Sequence, residues 1–201
     1  MLGLPKSTEL SKQLPKKAIY EKFNMNTAAK EKFDADVSRI SIAAEISPTT
    51  TSIAKGEEVS SIYVLFVTLK NKDYDERTVS SLFKLIDQHL VLVLDFEGEQ
   101  RLAIYHTKLI QGPWANSNDL KITLKGLNFD SVWENIVKSI GEITITDGNT
   151  LDEQIVADEQ KEKLLKEIAR LERQARNEKQ PKKKFELVQE IKKLKARSNN
   201  E

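Results

Sequence analysis

The most continuous apolar stretch in the chain is residues 62–70, Ile-Tyr-Val-Leu-Phe-Val-Thr-Leu-Lys. β-Branched and aromatic side chains at successive positions leave no polar face, so the stretch reads as a strand covered on both sides of a sheet. A second such run, residues 90–96, lies one helix-length downstream. Between them Val79, Leu82, Phe83, Leu85 and Ile86 recur at helical spacing, and Asp73 or Asp75 offers a cap. Residues 76–88 therefore read as an amphipathic crossover helix. Strand, helix and strand make a βαβ unit, with parallel strands and a right-handed crossover.

Upstream, Ser7 caps a short helix over residues 8–14, which Leu14-Pro15 stops. Proline restricts the residue before it and suits a first helical turn, so a second helix starts there with Ala18, Ile19 and Phe23 as its stripe. Asn26 or Thr27 caps a third helix through about residue 36. Residues 37–46 alternate loosely as a strand. Ser47-Pro48-Thr49-Thr50-Thr51 is a loop, because Pro48 lacks a ladder donor and the hydroxyls compete for backbone bonds. Gly56-Glu57-Glu58 turns into the central strand.

Downstream, Glu97-Gly98-Glu99 is a hairpin turn. Residues 101–108 form the return strand, with Leu102, Ile104 and His106 on one face. Residues 111–119, holding Gly112-Pro113 and Trp114, are loop, and residues 120–124 alternate as a short strand. Asp130 caps a helix carrying Val132, Trp133, Ile136, Val137 and Ile140, with Gly141 near its end.

The globular part ends near residue 146, and Asp147-Gly148-Asn149 is a hinge. Thr150 and Glu153 match a capping box. Beyond it Leu164, Ile168, Leu171 and Ala175 are spaced 4-3-4, the spacing of a coiled-coil seam. Pro181 interrupts the helix, and Phe185, Val188, Ile191 and Leu194 make a second stripe. Two helices joined near residues 177–182 fold back as a hairpin or reach out as an arm. The seam covers about two heptads, short for a stable coiled coil alone. The expected fold is α/β or α+β: a small mixed sheet with a βαβ unit and covering helices over residues 1–146. A charged C-terminal helical hairpin or coiled-coil arm follows over residues 147–201.

At 201 residues the chain is long enough for one domain with a core plus an appendage. Net charge is +1, so the chain as a whole has no signal for nucleic acid or membrane. It has no cysteine, which excludes disulfides, thiolate catalysis and cysteine-ligated metals. The first residues carry no apolar leader and no run reaches transmembrane length, so a cytoplasmic protein is expected. Charge is uneven, however. Residues 176–197 hold nine Lys or Arg against three Glu. Lys182, Lys183, Lys184, Lys192, Lys193, Lys195 and Arg197 suit an acidic protein surface or a phosphate backbone, or form a solvated helix face. A smaller basic cluster, Lys12, Lys16, Lys17 and Lys22, falls on the N-terminal helices, as a solvated face or a phosphate contact.

No phosphate loop, dinucleotide fingerprint or zinc-protease helix motif is present. The two histidines, His89 and His106, fall on different elements, and no serine elbow supplies a nucleophile. One constellation suggests chemistry. Restriction-endonuclease-like nucleases hold magnesium with an acid on one strand and an acid two residues before a lysine on the next. Here Glu45 supplies a first acid and Lys70 the lysine, but Thr68 stands where the second acid belongs. Asp73, Asp75, Asp95 and Glu97 at nearby strand ends are substitutes. No metal or other cofactor is expected except magnesium under this nuclease alternative.

Several short segments together resemble a known family. They are Leu4-Pro5-Lys6-Ser7-Thr8, Leu14-Pro15-Lys16-Lys17 with Tyr20, Ser60 with Ile62-Tyr63-Val64, Leu69-Lys70 and Leu85-Ile86-Asp87. Leu102-Ala103-Ile104-Tyr105, Trp133-Glu134-Asn135, Asn177-Glu178-Lys179-Gln180 and Lys184-Phe185-Glu186-Leu187 complete the series. In this order the chain resembles, over nearly its whole length, the bacterial domain of unknown function 4391 family. The resemblance implies a bacterial protein often encoded beside helicases and DNA methyltransferases of restriction or phage-defence type. It transfers no activity and no catalytic residues. The expected function is a non-catalytic accessory subunit docking on a helicase or methyltransferase partner, its arm bridging to that partner or to DNA. A magnesium-dependent nuclease, active or degenerate, is the alternative. No membrane partner is expected, and the oligomeric state is open.

Overall fold

The two apolar runs lie side by side and parallel at the centre of a sheet, as their lack of a polar face requires. The computed structural model describes residues 2–146 and 148–198. It divides the chain into two units, Met1–Ile143 and Thr144–Glu201.

The first unit opens with a tight turn at Lys6–Thr8 and then strand β1 (Glu9–Leu14), where a helix was expected. Ser7 does not cap a helix; its hydroxyl donates to the Thr50 carbonyl at 2.7 Å. β1 is an edge strand antiparallel to β2 (Val37–Ile46), with every residue before Leu14 exposed. The ladder recovers the backbone bonds a helix would have made, and no apolar stripe opposes it. The register shifts between Glu9 and Lys12, and Ser11 has φ +48°. Lys12 therefore lies on a strand, apart from the rest of its predicted basic cluster. Helices α1 (Lys16–Lys22) and α2 (Thr27–Asp36) follow as expected, α2 capped by Asn26 Oδ1 on the Ala29 amide at 2.9 Å.

β2 pairs antiparallel with β3 (Ile62–Leu69), and α3 (Glu76–Leu82) crosses to β4 (His89–Phe96), parallel to β3. α3 is shorter than the residues 76–88 expected. Lys84 and Leu85 donate to the Ser81 and Leu82 carbonyls, tight turns that unwind the chain towards β4. β5 (Glu99–Tyr105) returns through a turn with φ +51° at Glu97 and +88° at Gly98, the backbone a two-residue hairpin demands.

The return strand stops at Tyr105 rather than reaching Lys108. The His106 amide donates to the Lys108 carbonyl, and β6 (Leu109–Gln111) doubles back on β5. Within the expected loop, β7 (Ala115–Asn116) also pairs with β5, completing a seven-stranded sheet in the order β1-β2-β3-β4-β5-β6 with β7 off that path. Residues 120–124 alternate as foreseen, with Leu120 and Ile122 buried, but join no ladder; the Ile122 amide donates to Leu2 instead. Alternation there reports a half-buried extended segment, not a strand.

Side chains alternate across the central strands. Leu65, Val67, Leu90, Leu92 and Leu94 pack with Ile19, Phe33, Val79 and Leu82 from α1, α2 and α3. α4 (Phe129–Gly141) lies against β5 and β6 and buries Val132, Trp133, Ile136, Val137 and Ile140. Each large side chain so buried is worth about 1.5–3 kcal/mol. Asn128, not Asp130, caps α4, accepting from the Ser131 amide at 3.0 Å.

The second unit is a helical pair. Asp147 of the expected hinge lies outside the described residues; Gly148 has φ +96°. α5 (Leu151–Asn177) starts with the expected capping box, Thr150 accepting from the Glu153 amide while Glu153 accepts from Thr150. α6 (Pro181–Ser198) begins at the proline, which needs no amide there. The two helices fold against each other as a hairpin around Ile168, Leu171, Ala175 and Ile191.

Candidate functional site

The proposed nuclease residues do not converge. Glu45 on β2 is paired in register with Tyr63, and its carboxylate adds to burial in raising the Tyr63 phenol above its ordinary range. Lys70 follows β3, seven residues beyond Tyr63. At about 3.3 Å per strand residue the two lie roughly 23 Å apart along the sheet. The acids nearer Lys70 are otherwise engaged. Asp75 caps α3 through the Arg77 amide and pairs with Lys32, whose hydrogen bond holds the carboxyl below its ordinary range. Asp95 accepts from Gln100 Nε2 at 3.0 Å, and Asp73 is exposed. Among the described residues no group of three or more His, Asp or Glu is placed to hold a metal.

Two of the N-terminal lysines, Lys16 and Lys22, bind to the body itself. Lys16 Nζ lies 2.5 Å from Asp34 Oδ1 and 2.5 Å from the Val37 carbonyl, and Lys22 Nζ reaches the Leu85 carbonyl at 2.6 Å. Tyr20 also donates to Asp34, at 2.6 Å. Burial and this bond push the Tyr20 phenol up to about 12, while Lys16 and Tyr20 hold the Asp34 carboxyl low.

A second polar cluster forms where β4 begins and β5 ends. Val91 pairs with Ile104, and continuing that register sets His89 opposite His106. The His89 ring stands edge-on to Trp133, centroids 4.7 Å apart, and the Trp133 indole nitrogen is buried with no hydrogen-bond partner among the described residues. Burial first, and His106 second, push His89 below its ordinary pKa; Asp130 and Glu58 pull it the other way. Asp130, freed from capping its own helix, accepts the backbone amides of Glu57 at 2.7 Å, Glu58 at 3.2 Å and Val59 at 2.8 Å. These bonds hold its carboxyl below the usual range and tie the loop before β3 to α4. The histidine pair was illegible in sequence because only the β4–β5 register brings it together. An open cleft of about 390 Å³ borders this cluster, with Glu58, Phe83, His89 and Tyr105 on its walls.

The hairpin separates residues that the sequence merged into one stripe. Leu164, Ile168, Leu171 and Ala175 of α5 face Leu187, Ile191 and Leu194 of α6. Phe185 and Val188 are not in that seam; they are 63% and 36% exposed. Leu187, Ile191 and Leu194 keep the 4-3 spacing, whereas Phe185, two residues before Leu187, sits roughly 200° round the helix. Lys195 pairs with Glu172 of α5 at 2.7 Å. Lys183 borders the groove between the helices, beside Arg173, Glu186 and Glu190. Lys182, Lys184, Lys192 and Lys193 are exposed, as is Arg197.

The chain belongs to the domain of unknown function family DUF4391, whose model matches residues 2–197. No curated protein and no solved structure matches it.

Proposed function

We propose that this family member is a non-catalytic interaction subunit. It docks through its helical hairpin on a larger DNA-processing protein, a helicase or DNA methyltransferase of restriction or phage-defence type. The observation that carries the reading is the two-sidedness of α6: one stripe closes the hairpin while Phe185 and Val188 stay exposed among lysines. A large aromatic held outward on a rigid helix is a natural anchor for another protein. The partner class comes from the genes that the family resemblance associates with such chains.

The test is co-expression with the neighbouring helicase or methyltransferase. The full chain co-purifies with its partner, and a chain ending at Ile143 stays folded but does not. Capture that survives the truncation removes the hairpin from the docking role. A stable, unaccompanied monomer from the native host removes the reading altogether. Salt separates protein from DNA: contact through several lysines and phosphates weakens steeply between low and physiological salt.

A further inference from the structure

The outer face of α6 carries a second seam. Pro181, Phe185, Val188 and Lys192 are spaced 4-3-4, the same spacing that closes the hairpin on the other side. Lys182 and Lys184 flank Phe185, and Lys193 stands beside Lys192. Among the described residues these four lysines form no ion pair. Glu186 and Glu190 border the groove beside Arg173 and Lys183, and the stretch from Pro181 to Arg197 still carries seven cations against these two acids.

We infer that this face takes an acidic amphipathic helix of the partner protein, laid along α6 with apolar side chains over Phe185 and Val188 and carboxylates over the lysines. The inference rests on the docking reading above and names the chemistry of what docks. A seam of this spacing is matched by another helix, and the charges at its margins select the partner's sign. The alternatives fit less well. A phosphate backbone has no use for an exposed phenylalanine at the centre of the patch. A bilayer draws its binding from a broad apolar face, and here two apolar side chains stand among cations.

The experiment uses the full-length protein and four probes. One is a three-heptad peptide with leucine along its seam and glutamate at the margins. The others are a scrambled peptide of the same composition, a short DNA duplex and phosphatidylglycerol vesicles. The acidic helix binds, and Phe185→Ala and Lys192→Glu each weaken it about tenfold or more with helicity unchanged. Equal binding of the scrambled peptide overturns the inference. So does tighter binding of duplex or vesicles that ignores Phe185→Ala, or no binding by any probe. The same two variants enter the co-expression test. If they keep the partner while removal of residues 144–201 loses it, docking stands and this inference falls.

Discussion

Gly56 leaves its β-carbon position to Asp130: a Cβ built on Gly56 comes within 2.1 Å of Asp130 Oδ1. That close approach lets one carboxylate collect three consecutive amides of the loop entering β3.

Gly56→Ala forces the carboxylate aside and breaks those bonds. The expected cost is about 1–3 kcal/mol, the usual penalty for an added methyl group in a filled site. Thermal unfolding measures it. Combined with Asp130→Ala, the loss falls short of the sum of the single losses, because both act on one contact.

Asp130 also sets a pH dependence. Its folded carboxyl titrates below the unfolded value of 3.8. Its contribution is complete above that value and is lost as pH falls towards the folded pKa. Asp130→Asn lowers the melting temperature at neutral pH and flattens the acid limb of the curve of melting temperature against pH. An unchanged acid limb contradicts the assignment.

His89 acts in the same direction at higher pH. Its folded pKa lies below the ordinary 6.5. The unfolded chain therefore binds the proton more readily, and stability falls as pH drops below 6.5 towards the folded pKa. His89→Gln shows a smaller fall in melting temperature between neutral and mildly acidic pH. NMR titration of the two imidazoles places His89 below 6.5.

Tyr20 works in the opposite sense. With its phenol held up to about 12 against an ordinary 10.0, its contribution is present below pH 10 and is lost as pH rises towards 12. Tyrosinate absorbance shows late-ionising phenols, Tyr63 and Tyr74 being raised as well, and Tyr20→Phe removes one phenol's share of that late phase.

The two faces of α6 respond differently to truncation. Ile191→Ala opens a void in the hairpin core and costs about 2 kcal/mol or more, seen as loss of helicity at low denaturant. Phe185→Ala, at a side chain 63% exposed, leaves helicity and stability close to the parent. Equal effects from both substitutions contradict the inward and outward assignment.

Sequence showed most where burial leaves a long signature. The βαβ core reads directly, since residues 62–70 and 90–96 have no polar face to place in solvent. It showed least at the margins. β1 carries no pattern because an edge strand exposed along its length is held by backbone bonds, which side-chain periodicity does not report. Residues 120–124 carry a strand's pattern without a strand's partner. Phe185 and Val188 kept the right spacing to each other but the wrong phase to Ile191 and Leu194, and only contact with α5 reveals the phase. Asp130 looked like a cap, and only the fold brings the Gly56 loop within its reach. Glu45 and Lys70 looked paired until the antiparallel β2–β3 register set them at opposite ends.

The kink at Ser11 reaches beyond β1 itself. A straight outer strand is a template: it presents amide and carbonyl rows on which another chain's strand can grow, and then the next. At Ser11 the register slips and the backbone turns left-handed, with Lys12 beside it, so the row breaks after a few residues. Two molecules meeting edge to edge find no continuous line to zip. At this edge the sheet is thus a poor template for strand addition by a second copy.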